Sequence, residues 1–214
     1  MPPPAGHTVF VVDDDEAVRK AVSRLLRSAG IAVAVFASPG EFLAQYDPAT
    51  PGCLLLDIAM PGFNGLQLQT ALAEKGSSLP IIFLTGHGDV SKSVQSMKGG
   101  AFDFLTKPVN AKNLLPAIRA AIERDAVSRG EQAELSEIHA RLDTLTPRER
   151  EVLQHVVAGK MNKQIAGDLG ITEATVKMHR ARVMAKMKVQ SVAELARLTE
   201  RCGIRGTNSL KSAA

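Results

Sequence analysis

Five short apolar runs, separated by stretches long enough to hold a helix, set what the first half of this chain can become. The runs are Val9 to Val12, Ile31 to Phe36, Cys53 to Leu56, Ile81 to Leu84 and Phe102 to Leu105. Each has the length and the branched or aliphatic composition of a strand buried on both faces. Between the first two, Ala17, Val18, Ala21, Val22, Leu25, Leu26 and Ala29 recur at steps of three and four, the spacing of a helix with one apolar face. Ser38-Pro39-Gly40-Glu41 reads as a capping box with proline at the first helical position, so a further helix starts there. Five strands alternating with five helices predict an α/β doubly wound five-stranded parallel sheet.

Such sheets bind ligands beyond the carboxyl ends of their strands. Asp13 and Asp14 follow the first run, Asp57 the third, Thr85 the fourth and Lys107 the fifth, so residues spread over much of the chain are expected at one edge. Three carboxylates repel one another unless a cation intervenes, and oxygen ligands with room for water suit Mg²⁺ better than a transition metal. Acidic residues after strands are also common turn formers and helix caps, which is the preferred reading for Asp15, Glu16 and Asp103. The full set fits phosphoryl transfer onto a carboxylate: Asp57 as nucleophile, Mg²⁺ held by Asp13, Asp14, Asp57 and the Ala59 carbonyl, with Lys107 and Thr85 on the remaining phosphoryl oxygens. An Mg²⁺-dependent phosphatase would need a second acid two residues beyond Asp57, where this chain has Ala59, so an enzyme is not expected. A docking module indifferent to phosphate is disfavoured by the intact set of Asp57, Thr85 and Lys107.

These residues resemble the receiver domain of two-component response regulators in the FixJ/NarL group, over roughly residues 7 to 124. The resemblance is carried by Val11-Val12-Asp13-Asp14-Asp15, by Leu56-Asp57-Ile58-Ala59-Met60-Pro61-Gly62 with Gly65 following, by Thr85-Gly86-His87-Gly88-Asp89 and by Lys107-Pro108. It implies a flavodoxin-like fold and an Asp57 that accepts a phosphoryl group from a sensor histidine kinase. It further implies that Thr85 moves toward that group while Phe104 changes rotamer, and that the face of the fourth helix, fifth strand and fifth helix forms a homodimer on phosphorylation. Gly86 and Gly88 leave the loop between them free to move; His87 reads as a loop residue, not a catalyst. Pro116 falls within the expected last helix and bends it unless it lies in the first turn.

The second half differs in charge. Residues 142–214 carry 13 Lys and Arg against 7 Asp and Glu, while residues 1–123 carry 10 against 11. A basic segment of this kind points to an anionic partner, nucleic acid first. Thr146-Pro147-Arg148-Glu149 is a second capping box, Gly159 ends that helix, and Asn162 is expected to cap a short helix containing Ile165, Ala166 and Leu169. Gly170 makes a tight turn, Thr172 caps a helix from Glu173 to Lys188, and Ser191 caps the last, which predicts a separate all-α domain of four helices with a helix-turn-helix in the middle. On the third helix Val176, Val183, Met184 and Met187 share the core side, whereas Lys177, Met178, Ala181, Arg182, Ala185 and Lys188 lie opposite. That face suits a major groove. His179 and Arg180 at its rim, with Lys163, Thr172 and Thr175, suit phosphates better than bases.

The stretches Leu145 to Leu153, Asn162-Lys163-Gln164-Ile165-Ala166 and Thr175 to Arg180 resemble the LuxR-type helix-turn-helix, over roughly residues 142 to 203. That resemblance implies a transcription regulator whose final helix helps pair two domains on a two-fold site in double-stranded DNA, with RNA polymerase as a further partner. The expected organisation is a receiver over 1–124, a helical linker over 125–141, a DNA-binding domain over 142–205 and a disordered tail over 206–214. In the linker, Leu135, Ile138, Leu142 and Leu145 form a narrow seam that suits either packing against a flanking domain or a short coiled coil. Cys53 and Cys202 alone exclude a disulfide framework or a four-cysteine zinc site. With no apolar run near the ~20 residues of a membrane span and no secretory pattern in Met1 to Gly6, a cytoplasmic protein without membrane contact is expected.

Overall fold

The computed structural model describes residues 6–86 and 99–204 and divides into two compact units between Gly130 and Glu131. In the first unit β1 (Thr8–Val12), β2 (Ala32–Phe36), β3 (Gly52–Asp57), β4 (Ile81–Thr85) and β5 (Asp103–Thr106) form one sheet in the order β2-β1-β3-β4-β5, every pair parallel. All residues of β3 and β4 are buried, as their unbroken apolar runs require. Helices α1 (Glu16–Ser28) and α4 (Ala111–Asp143) cover one face, where Val22, Leu26, Leu114, Ile118 and Ile122 pack on Val9, Val11, Leu55, Ile82 and Leu84. Helices α2 (Pro39–Gln45) and α3 (Gly65–Glu74) cover the other, with Phe42, Leu68 and Leu72 on Phe10, Val12, Leu54, Leu56 and Phe83. The doubly wound architecture is therefore met. The helix expected between β4 and β5, with His87, Gly88 and Asp89, lies outside the described residues, as does the tail.

Local chemistry sets the helix starts. The Asp15 carboxylate accepts from the N–H groups of Ala17 and Val18 and caps α1, the structural role expected of it. Ser38 caps α2 by accepting from the Glu41 N–H, but the Glu41 carboxylate accepts from the Ala37 N–H at 2.7 Å and not from Ser38, so the box is offset by one residue. Pro116 falls inside α4, beyond its first turn, on the exposed side. Proline has no N–H to offer the Lys112 carbonyl there, and both residues are exposed. Cys53 is fully buried, and burial, reinforced by Asp125, pushes its thiol up to about 12, so it serves packing.

The second unit holds α5 (Pro147–Val157), α6 (Asn162–Leu169), α7 (Glu173–Met187) and α8 (Val192–Arg201) around a core of Val152, Leu153, Ile165, Val176, Val183 and Leu195. Ile138, Leu142 and Leu145 of the expected linker seam are buried in that same core, while Leu135 is not part of it. Thr146 and Glu149 form a complete capping box on α5. Two expectations are corrected. Asn162 is the first residue of α6 rather than its cap: the cap position falls one residue earlier, on Met161, whose N–H donates to Gln164 Oε1 at 2.8 Å. The helix-turn-helix recognition segment ends at Met187, where Lys188 adopts a left-handed conformation with φ of 56° and its N–H returns to the Ala185 carbonyl.

Candidate functional site

The strand order reverses between β1 and β3, and the residues that follow these strands meet there. Asp13, one residue past β1, is fully buried; Asp57 closes β3 and is 5% exposed; Asp14 is exposed. One oxygen of each lies within 4.8 Å of the others. Lys107, after β5, reaches between two of them, with Nζ 2.7 Å from Asp13 Oδ2 and 3.2 Å from Asp57 Oδ2. Asp13 is held from the protein side by the Asp15 N–H on Oδ1 at 2.9 Å, and its carbonyl accepts from Arg19 Nη1 at 2.6 Å.

Electrostatics follow from this crowding. Burial pushes the Asp57 carboxyl above the usual carboxylate range; Lys107 opposes the shift and Asp13 adds to it. Burial pulls the Lys107 ammonium down, but its contacts to Asp13 and Asp57 outweigh that and leave it above its ordinary value. The donor set fits a small hard cation. Octahedral Mg²⁺ holds oxygens at about 2.1 Å, so its ligands stand no more than about 4.2 Å apart, and a modest closing of oxygens already within 4.8 Å of one another would meet that limit. Asp14 and Ala59 also line a cleft of about 420 Å³ with Met60, Pro61 and Asn64, which leaves room for a ligand on the outer side.

Thr85 ends β4, buried beside the same edge, with its hydroxyl donating to the Gly86 carbonyl at 3.3 Å and its own carbonyl accepting from the Lys107 N–H at 2.8 Å. Phe104 on β5 pairs with Phe83 of β4 and is 43% exposed, so its ring has space to change rotamer. Gly65 matters through what it lacks: a Cβ there would lie 2.2 Å from the Asp57 carbonyl oxygen, so the start of α3 can approach the end of β3 only as glycine.

In the second unit Lys177, Met178, Ala181 and Arg182 are exposed along one side of α7, opposite buried Val176, Val183 and Met187. Met178 is 41% exposed, an apolar group standing among cations. Lys163 and Thr172 are exposed, and Thr175, His179 and Arg180 are half-buried at the rim. Thr172 caps α7 through the Thr175 N–H, and the two hydroxyls lie 2.9 Å apart. Two side-chain arrangements had no signal in the sequence. Arg180 Nη1 donates to Asn162 Oδ1 at 2.8 Å, and the buried Asp125 is gripped by Arg129 and the Gly52 N–H. Both join residues that local spacing does not relate.

A doubly wound sheet with acidic residues at its switch point, followed by a helix-turn-helix with a basic exposed face, defines a signalling protein of the two-component class. The model of the response regulator receiver domain matches residues 9–119, and that of the bacterial regulatory proteins of the luxR family matches residues 143–199. The chain belongs to the response-regulator family, in the branch with a luxR-type output domain, and is a transcriptional response regulator. It is 45% identical over 206 residues to Nodulation protein W of Bradyrhizobium diazoefficiens, covering 93% of this chain and 91% of that one. It is 42% identical over 201 residues to Transcriptional regulatory protein FixJ of Azorhizobium caulinodans, covering 94% and 95%. Among solved structures, Response Regulator StyR is 45% identical with a TM-score of 0.83, covering 92% of this chain and 100% of that one. The receiver implies a histidine kinase as partner and the luxR-type domain implies DNA. Among the described residues no helix is long and apolar enough to cross a membrane.

Proposed function

We propose that a sensor histidine kinase transfers a phosphoryl group to Asp57 and that the modified chain pairs with a second copy on a two-fold DNA site. The observation that carries this reading is the meeting of Asp13, Asp14, Asp57 and Lys107 at one sheet edge. Asp13, Asp14, Asp57 and the Ala59 carbonyl would hold Mg²⁺, which neutralises charge on the equatorial phosphoryl oxygens when bound. Lys107 moves from its carboxylate partners onto a phosphoryl oxygen, and the Thr85 hydroxyl turns from Gly86 to another. Because the Lys107 N–H is bonded to the Thr85 carbonyl, the two residues shift together, and exposed Phe104 fills the space that Thr85 vacates. A regulated pairing then holds two half-sites at a raised local concentration without any new base contact.

On the DNA, Lys177, Met178, Ala181 and Arg182 would enter the major groove, with Lys163, Thr172, Thr175, His179 and Arg180 on phosphates. The boundaries that follow are a receiver over 1–124 and a DNA-binding domain over 142–205. RNA polymerase is the downstream partner, and the cytoplasm, where kinase domain and chromosome are both reached, is the site of action. On this reading its chemistry is self-directed: phosphoryl transfer onto its own Asp57 and the later loss of that group.

Phosphoryl uptake tests the reading. In Mg²⁺ buffer an acyl phosphate should label the wild-type chain and strengthen its DNA binding, while Asp57→Asn takes up no label and is not stimulated. Equal stimulation of the variant rejects the site. For the output face, Lys177→Ala should weaken DNA binding, and an unchanged affinity across a salt series rejects the groove assignment.

A further inference from the structure

We propose that Asn162 is a positioning residue for DNA binding: it holds the Arg180 guanidinium as a clamp on the sugar-phosphate backbone, so that it sets affinity for any duplex while leaving the choice of sequence alone. This rests on the reading of α7 as the groove-entering helix.

The first support is where the Asn162 side chain goes. Asn162 is the first residue of α6, one past the cap position at Met161, so its amide oxygen is not committed to a capping bond. Here Gln164 meets the Met161 N–H, and Asn162 Oδ1 instead accepts from Arg180 Nη1 at 2.8 Å, 18 residues along the chain. Both residues are half-buried, so the contact is shielded from competing water. An arginine carries several rotatable bonds, and holding it before DNA arrives removes the ordering cost that binding would otherwise incur.

The second support is the chemistry of the partner. Arg148, Arg150, Lys160, Lys186 and Arg201 each pair with a carboxylate, from Glu151, Asp143, Asp168, Glu149 and Glu134 respectively. Those cations are partly neutralised. Arg180 is held by a neutral amide, and among the described residues no carboxylate pairs with it. An amide fixes the guanidinium yet leaves its whole charge and its remaining N–H donors for an anion.

The third support is direction. At 100° per residue Arg180 lies 60° from buried Val183 and 100° from exposed Ala181, so it leaves α7 at the rim and not from the centre of the outward face. Its guanidinium meets Asn162 in the first turn of α6, the residue before exposed Lys163. A group anchored at the rim meets the phosphate backbone flanking the groove, whereas Lys177, Met178, Ala181 and Arg182 meet base edges. Phosphate contacts position a protein without reading sequence.

The test uses the full chain treated with acetyl phosphate and Mg²⁺. Its affinity is measured by fluorescence anisotropy on a duplex selected by the wild-type protein from a random pool and on a scrambled duplex of equal composition. Asn162→Ala should weaken binding to both by the same factor, about three- to tenfold, with an unchanged melting temperature. Arg180→Ala should weaken both further and flatten the salt dependence by about one unit. The double variant should match Arg180→Ala alone. Additive losses, no loss in Asn162→Ala, or a loss confined to the selected duplex would each overturn the proposal. If Arg180→Ala is silent while Lys177→Ala weakens binding, the clamp fails and the groove reading stands; if both are silent, the groove reading fails with it.

Discussion

Gly52 donates its N–H to Asp125 Oδ2 at 2.8 Å, joining the start of β3 to the middle of α4 across 73 residues of sequence. The same oxygen accepts from Arg129 Nε at 2.8 Å, and the rest of that guanidinium donates to the carbonyls of Pro48, Ala49 and Thr50. Asp125 is fully buried, and a Cβ on residue 52 would lie 1.8 Å from the Thr8 carbonyl oxygen, so the strands can close here only around glycine. The turn of α4 just before Gly130 is thereby tied to the first unit.

Removing the carboxylate leaves the Gly52 N–H buried without a partner and takes the counter-charge from Arg129. Asp125→Ala should therefore cost about 2–4 kcal/mol, read as a lowered urea midpoint of the receiver. A midpoint within error of wild type would show that the contact contributes nothing.

Asp57 links stability to pH. Its folded-state carboxyl is pushed above the ordinary value, so over the window between the two the folded state binds more protons than the unfolded chain. Stability without Mg²⁺ should be greatest below the ordinary carboxylate pKa, fall as pH rises through the window, and level off above it. Asp57→Asn removes that fall and should be the more stable protein at neutral pH. Parallel melting curves for the two proteins from acid to neutral pH would contradict this.

Gly65→Ala places a methyl group 2.2 Å from the Asp57 carbonyl oxygen and 3.1 Å from the Phe83 ring. The end of β3 has to shift, and Asp57 with it. Acyl phosphate labelling should fall at least tenfold, an effect of about 1.4 kcal/mol on a reaction that depends on placement. Gly62→Ala, whose Cβ would meet open space, serves as the control for backbone strain alone.

Lys188 holds a φ of 56° after the last turn of α7, a conformation that strains a residue with a Cβ. Lys188→Gly should raise the stability of the DNA-binding unit by about 1 kcal/mol in thermal unfolding. The same change removes an exposed cation, so DNA affinity and stability should move in opposite directions.

The strands, the caps at Asp15, Thr146, Thr172 and Ser191, and the arrival of Asp13, Asp14, Asp57, Thr85 and Lys107 at one edge were all legible beforehand. Period-2 and period-3.6 patterns report local burial, and a parallel sheet sends every strand end to the same side. Asn162 misled because its residue type caps helices, but α6 starts one residue earlier, with Met161 at the cap position and the Asn162 amide oxygen turned to Arg180. Within the expected helical linker over 125–141, Asp125 and Arg129 are bonded within the first unit and Ile138 lies in the core of the second, which is the packing against a flanking domain that the seam allows.

Sequence alone therefore determined the elements, their order and the class of chemistry at the sheet edge, since these depend on propensity, periodicity and chain topology. Only the tertiary structure decided that Asp125 grips Gly52 and that Asn162 holds Arg180. Such contacts arise when folding brings a buried donor and acceptor within about 3 Å, and the cost of leaving either unpaired selects the match after the elements have packed.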